Sequence, residues 1–136
     1  GVVIPCDAGL VAHSDGDVLI HAVMDAILSA MHERDIGTLF PDTDEKYKKI
    51  SSVKLLEEVL ELARSKGFSI KSVSAVIMAQ KPKLAPHIVS IEKNLANILS
   101  VDENRVSLTA TTTEKLGMVG REEGISVSSV ATLQKI

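Results

Sequence analysis

At 136 residues and 45% hydrophobic, the chain has the size of one domain able to bury a core, and no Pro/Gly/Ser-rich linker divides it. A net charge of −3, one Tyr, two Phe and no Trp leave neither a general attraction for a phosphodiester polymer nor a stacking platform, which argues against nucleic acid as a partner. No apolar run approaches the roughly 18 residues of a membrane span, and no secretory leader opens the chain, so a soluble protein with no membrane partner is expected.

Cys6 stands alone, which excludes an intrachain disulfide and a Cys-rich zinc site and points to a reducing compartment. If an acidic chain takes a phosphate ester, positive charge must be supplied locally by a metal ion, a few Lys and Arg, or helix N-termini. The chain opens at Gly1 without an initiating Met, directly on the strand-like GVVIP, which points to sequence upstream.

Val2 to Pro5 reads as a short strand and Asp7 to Ala12 as a turn around Gly9. Ser14 followed by Asp17 resembles a capping box, and Asp15 and Asp17 suit the positive end of a helix, so a helix is predicted from about Asp17 to about His32. Its residues are apolar around most of the circumference, from Val18, Leu19 and Ile20 through Ile27, Leu28 and Met31. Cover is therefore expected on more than one side, as a trimer would supply. The polar exceptions Asp17, His21, Asp25 and Ser29 recur every fourth residue and form one stripe.

Asp35 to Ile50 reads as a long loop with turns at Ile36-Gly37 and Pro41-Asp42, and loops of that length are usually functional or mobile. Ser51 or Ser52 can cap a second helix carrying Leu56, Val59, Leu60 and Ala63 at helical spacing, with Gly67 at its end. Phe68 to Gln80 alternates as a strand, and Ala85 to Leu99 places Ile88, Ile91, Leu95 and Ile98 on one helix face. Val106 to Thr113 and Ile125 to Leu133 read as strands separated by the loop EKLGMVGREEG. The order β, α, α, β, α, β, β describes an α+β domain.

Three of the four histidines lie between Ala12 and Asp44, together with Asp15, Asp17, Asp25, Glu33, Asp35, Asp42 and Asp44, a concentration that suggests a site. His21, flanked on its stripe by Asp17 and Asp25, could ligate zinc, or the stripe could be the helix's water-facing edge; one histidine alone cannot hold the ion, since a catalytic zinc normally takes about three protein ligands. His13 and Ser14 precede the predicted helix, where free N–H groups could hold a phosphate, although capping alone would explain them. His32 and His87 read as structural or surface residues.

Asp35, Ile36 and Gly37, with Phe40, Pro41, Asp42, Thr43 and Asp44, offer acceptors to polyol hydroxyls or to a hard cation, and acidic loops of this kind are also common without function. In ATTTEK, Thr111, Thr112 and Thr113 could position phosphate oxygens beside a Mg²⁺ held by Glu114, or simply populate an exposed strand edge. Ala79, Gln80, Lys81, Pro82 and Lys83 leave another strand with two cations and a rigid proline, a weak signal for a base or phosphate.

Taken together, AHSDGD and the following His21, then DIG, FPDTD, AQKPK, and ATTTEKLG with Arg121, resemble the 2-C-methyl-D-erythritol 2,4-cyclodiphosphate synthase family in order and spacing over almost the whole chain. The resemblance implies a sheet of about four strands packed on one side by helices, assembled as a homotrimer with active sites between subunits. It implies conversion of 4-diphosphocytidyl-2-C-methyl-D-erythritol 2-phosphate to the cyclic diphosphate and CMP, in non-mevalonate isoprenoid synthesis. The location would be the cytoplasm of a bacterium or a plastid in a eukaryote.

In that reading His13 and Ser14 fix the 2-phosphate, with His13 also catalytic. His21 binds Zn²⁺, and Asp35 to Gly37 with Phe40 to Asp44 line the methylerythritol pocket. Ala79, Gln80, Lys81, Pro82, Lys83, Leu84 and Ala85 hold the cytidine end, largely through backbone. Thr111, Thr112, Thr113 and Glu114 meet the diphosphate, Thr112 stabilising the transition state and Glu114 holding Mg²⁺ or Mn²⁺, with Met118 and Arg121 as further substrate contacts. The family's other two zinc ligands come from a D-x-H motif upstream, which is not found between Gly1 and His13, so a single domain lacking its N-terminal strand is expected. The alternatives are a non-catalytic trimeric cytidine nucleotide-binding protein of the same fold and an unrelated metal-dependent phosphohydrolase.

Overall fold

The computed structural model describes residues 9–34, 36–39, 51–78, 85–111 and 126–136. In chain order these form α1 (Gly9–Ala30), α2 (Ile36–Leu39), α3 (Ser52–Ser65), β1 (Phe68–Met78), a 3₁₀ turn (Ala85–His87), α4 (Ile88–Leu99), a second 3₁₀ turn (Glu103–Arg105), β2 (Val106–Thr111) and β3 (Ser126–Lys135). Three strands lie in one sheet of order β2-β1-β3, with β1 parallel to β2 and antiparallel to β3. The α+β class is as expected; Val2 to Pro5, where a further strand was expected, lies outside the described residues.

β1 shows why the sheet has an inside and an outside. Ile70, Val73, Ala75 and Ile77 are buried while Ser69, Lys71, Ser74 and Val76 are exposed. Strict alternation would put Ile70 and Val73 on opposite faces. The register shift against β3 between Ile70 and Ser72 absorbs one residue and returns both side chains to the core. Val106 and Leu108 of β2 lie on the same inner face.

Helices cover that inner face. α1 packs on β3 and β1, α3 on α1 and β1, and α4 on β2. Leu19, Ile20, Val23, Met24, Ile27, Leu28 and Met31 of α1 join Leu56 and Val59 of α3 and Ile91, Leu95 and Leu99 of α4 in one core. The apolar circumference of α1, for which cover on more than one side was expected, is packed by the sheet and by α3. His21, Asp25 and Ser29 remain exposed along the remaining edge.

The predicted start of the first helix is corrected. α1 begins at Gly9, so the expected turn through Ala12 is helical, and Ser14 lies inside the helix rather than at its N-cap. Leu10, Val11 and Ala12 contain no proline or polar competitor to the backbone, so nothing interrupts the helical run upstream of Ser14. The helix also ends earlier than His32, in a Schellman closure: Glu33 N–H donates to Leu28 O at 2.8 Å and His32 N–H to Ser29 O at 3.1 Å, with His32 at φ 60°. A short helix, α2, replaces the expected turn at Ile36-Gly37.

The second helix is capped as expected: Ser51 Oγ accepts from Lys54 N–H at 3.3 Å. Lys66 also pairs with Glu33, tying the end of α3 to the segment after α1. The third predicted helix opens with a 3₁₀ turn containing Pro86 before α4 proper. α4 then ends like α1, with Val101 N–H donating to Ala96 O at 3.0 Å and Ser100 at φ 58°.

Gly67 closes α3 at φ 84° with nothing within 4 Å of where a Cβ would stand. Gly67→Ala should therefore destabilise by about 1 kcal/mol through backbone conformation alone. Ser100→Gly should stabilise by up to about 1 kcal/mol for the converse reason. Urea denaturation of both variants checks the pair, and the two shifts should have opposite signs.

Candidate active site

The parallel pairing of β1 and β2 decides which ends of the strands lie together. Register runs from Val73 opposite Val106 to Met78 opposite Thr111. Two predicted motifs continue from these facing residues: Ala79 to Lys83 follows Met78, and Thr112 to Glu114 follows Thr111. Met78 and Thr111, which precede them, therefore lie side by side at one end of the strands. The antiparallel strand β3 begins at that same end, with Ser126 opposite Met78.

α4 is the crossover between the two parallel strands, so its N-terminus faces the edge where β1 ends and its C-terminus returns the chain to the start of β2. The positive end of the helix is thereby directed toward the end of the sheet where Met78 and Thr111 lie. β2 is held from its outer side as well. The half-buried Glu92 of α4 accepts a hydrogen bond from Leu108 N–H at 2.9 Å, satisfying a backbone donor that has no strand partner on that side among the described residues.

Among the predicted metal ligands, His21 is exposed on α1, with its Nε2 at 3.3 Å from Ser52 Oγ at the start of α3. The second ring nitrogen can serve as a metal donor, so the side chain fits one position of a zinc site. Among the described residues no group of three or more His, Cys, Asp or Glu is placed to hold an ion.

His13 and Ser14 are carried in the backbone of α1, Ile36 and Gly37 in α2, and Ala85 in the 3₁₀ turn before α4. Because Ser14 is interior to α1, the free N–H groups of a helix start do not belong to His13 and Ser14. A phosphate role for this pair rests on their side chains and not on the helix entrance. Thr111 is exposed at the end of β2. Asp35, Phe40 to Asp44, Ala79 to Leu84, Thr112, Thr113, Glu114, Met118 and Arg121 lie outside the described residues. His32 is exposed at the end of α1, and His87 is half-buried ahead of α4.

Ser52 is the residue that sequence reasoning missed as a partner of His21. It stood only as a possible helix cap, and at 31 positions from His21 no local spacing connects the two. A cavity of about 460 Å³ between the C-terminal ends of α3 and α4, lined by Leu60, Arg64, Phe68, Ile98 and Val101 among others, lies at the opposite edge of the sheet, where β1 begins, and contains none of the predicted site residues.

Comparison with known proteins gives this geometry its context. The YgbB family model matches residues 1–134. The chain belongs to this family. It is 55% identical over 135 residues to the 2-C-methyl-D-erythritol 2,4-cyclodiphosphate synthase of Desulforamulus reducens, covering 99% of this chain and 86% of that protein. The fold superposes on a CDP-bound 2C-methyl-D-erythritol-2,4-cyclodiphosphate synthase with a TM-score of 0.86 at 35% identity, covering 96% of this chain and 85% of the other. A Plasmodium falciparum IspF in complex with CDP gives a TM-score of 0.78 at 34% identity, covering 90% of this chain and 74% of that one. Among the described residues no helix is long and apolar enough to cross a membrane.

Glu92→Ala should leave Leu108 N–H unpaired on the strand that leads into Thr111, costing about 1–3 kcal/mol. Glu92→Gln keeps an acceptor and should lose less. Thermal denaturation of the two variants measures the difference.

Proposed function

We propose that this chain, as a single domain, catalyses the reaction for which its relatives are named: cyclisation of 4-diphosphocytidyl-2-C-methyl-D-erythritol 2-phosphate to the 2,4-cyclodiphosphate with release of CMP. The enzyme is a phosphorus–oxygen lyase of non-mevalonate isoprenoid biosynthesis. The observation that carries the reading is that the chain shares more than half its residues with a named synthase; the register that sets Met78 opposite Thr111 supports it. The CDP-bound relatives support a cytidine nucleotide as the ligand of this chain too.

The chemistry asks little of a general base. An oxygen of the 2-phosphate is already anionic at neutral pH; it attacks the β-phosphorus, the bond from that phosphorus to the bridging oxygen breaks, and CMP leaves with the electron pair. The protein must hold the two phosphates in line and offset their charge.

His13 and Ser14 hold the 2-phosphate, and Thr111 to Thr113 hold the diphosphate, Thr112 stabilising the charge that develops as the bond breaks. Arg121 contributes a fixed cation. Asp35 to Gly37 and Phe40 to Asp44 bind the methylerythritol hydroxyls. Ala79 to Ala85 receive the cytidine largely through backbone, which suits a chain without Trp. His21 is one zinc ligand and Glu114 a ligand of Mg²⁺ or Mn²⁺; when bound, these ions polarise the phosphates and stabilise the leaving group.

The assembly we propose is a homotrimer with sites between subunits, in the bacterial cytoplasm. Support for association comes from the outer face of the sheet, where Ser74, Val76, Ser107, Thr109, Ser128 and Val130 form adjoining uncharged rows. Val130 is 66% exposed and Val76 40% in the single chain. Such a face has no electrostatic obstacle to burial against copies of itself.

Phosphorus NMR of the reaction mixture tests the function: a cyclic diphosphate should appear together with CMP. A linear product would instead identify a phosphohydrolase, and cytidine nucleotide binding without CMP release by the metal-loaded trimer would identify a binding protein. Thr112→Ala should lower kcat by about 10²–10³, the loss expected for one transition-state donor. Glu114→Gln should weaken the dependence of turnover on Mg²⁺ or Mn²⁺ while sedimentation shows an unchanged oligomer.

A further inference from the structure

His21 and Ser52 lie on different helices and meet because α1 and α3 pack together over Leu56 and Val59. The approach is specific to one ring atom: Nε2 stands 3.3 Å from Ser52 Oγ. A neutral imidazole has one N–H donor and one lone-pair acceptor, so whatever engages one nitrogen decides what the other can do. We propose that Ser52 is a positioning residue that fixes the tautomer of His21. The Nε2–H donates to Ser52 Oγ, and the lone pair of Nδ1 is the one presented to a metal ion. The metal consequence rests on the zinc role of His21 proposed above; the hydrogen bond does not.

Three features of the chain favour this assignment. A histidine that ligates a metal through one nitrogen carries its proton on the other, and a fixed acceptor there orients the ring. His21 is exposed, on the edge of α1 that the described core leaves uncovered. Ser52 is well suited to hold it, because it stands at the first position of α3 and its neighbour Ser51, not Ser52, caps the helix. The half-buried setting of Ser52 restricts its motion more than an exposed loop would.

The decisive measurement is long-range ¹H–¹⁵N NMR of the imidazoles in metal-free protein at about pH 8.5, well above the ordinary histidine pKa of about 6.5. The wild-type chain should show His21 as the Nε2–H tautomer. Ser52→Ala should shift it to a mixture, and Ser52→Thr, which keeps the hydroxyl, should restore the wild-type pattern. Because Ser51 retains the cap and alanine is the better helix former, Ser52→Ala should fold normally, which circular dichroism checks. An Nδ1–H tautomer in the wild type, or a tautomer untouched by Ser52→Ala, overturns the proposal.

Zinc competition against a chelating dye, performed on the full-length protein, supplies the second readout. Ser52→Ala should weaken zinc retention by about 10–100-fold, the usual cost of losing a group that orients a ligand. Unchanged affinity would remove Ser52 from any metal-positioning role. If the wild-type protein itself held no zinc, the zinc role of His21 and the presentation of Nδ1 to a metal would both fall, while the tautomer would still decide whether Ser52 fixes the ring.

Discussion

The parallel pairing of β1 with β2 is the constraint on which both the fold and the site depend. Parallel neighbours cannot be joined by a hairpin, so a crossover must return the chain, and α4 is that crossover. Its apolar face, with Ile91, Leu95 and Leu99, is then delivered onto the inner side of the sheet, and its N-terminus is directed to the edge where the strands end. A single topological requirement thus places a core helix and brings Met78 beside Thr111.

The second organising contact is α1 against α3. α1 carries so many apolar residues that it must be covered on more than one side, and the sheet together with α3 supplies that cover inside one subunit. The consequence is that, from Val18 to Ala30, the exposed residues of α1 are His21, Asp25, Ser29 and Ala30. Polar residues on a strongly apolar helix are thereby confined to a place where a ligand can reach them. The same packing brings Ser52 to His21.

The outer face of the sheet has a different composition. Its serines, threonines and exposed valines satisfy strand propensity without adding charge, so the surface is neither a core nor a strongly hydrated shell. The inner and outer faces therefore differ in kind: one forms the core, and the other is an uncharged, exposed surface. The bulge at Ile70 to Ser72 keeps this division intact by returning Ile70 and Val73 to the same side despite their spacing.

Local chemistry was enough to read much of this protein. The helical spacing of Leu56, Val59 and Ala63, the cap at Ser51, the alternation of β1 and the order of the motifs were legible because each depends on neighbours within a few residues, or on short strings that relatives share. The start of α1 was not, because Ser14 has the chemistry of a cap while Leu10, Val11 and Ala12 allow the helix to continue past it. Nor was the second source of cover for α1, which only packing reveals. What the amino-acid sequence by itself determined was the family, the elements and the residues that could do chemistry. The tertiary structure alone decided which of them meet. Strand register and helix packing join Met78 to Thr111 and His21 to Ser52, and the free energy that makes those joins lies in burying apolar surface from distant parts of the chain.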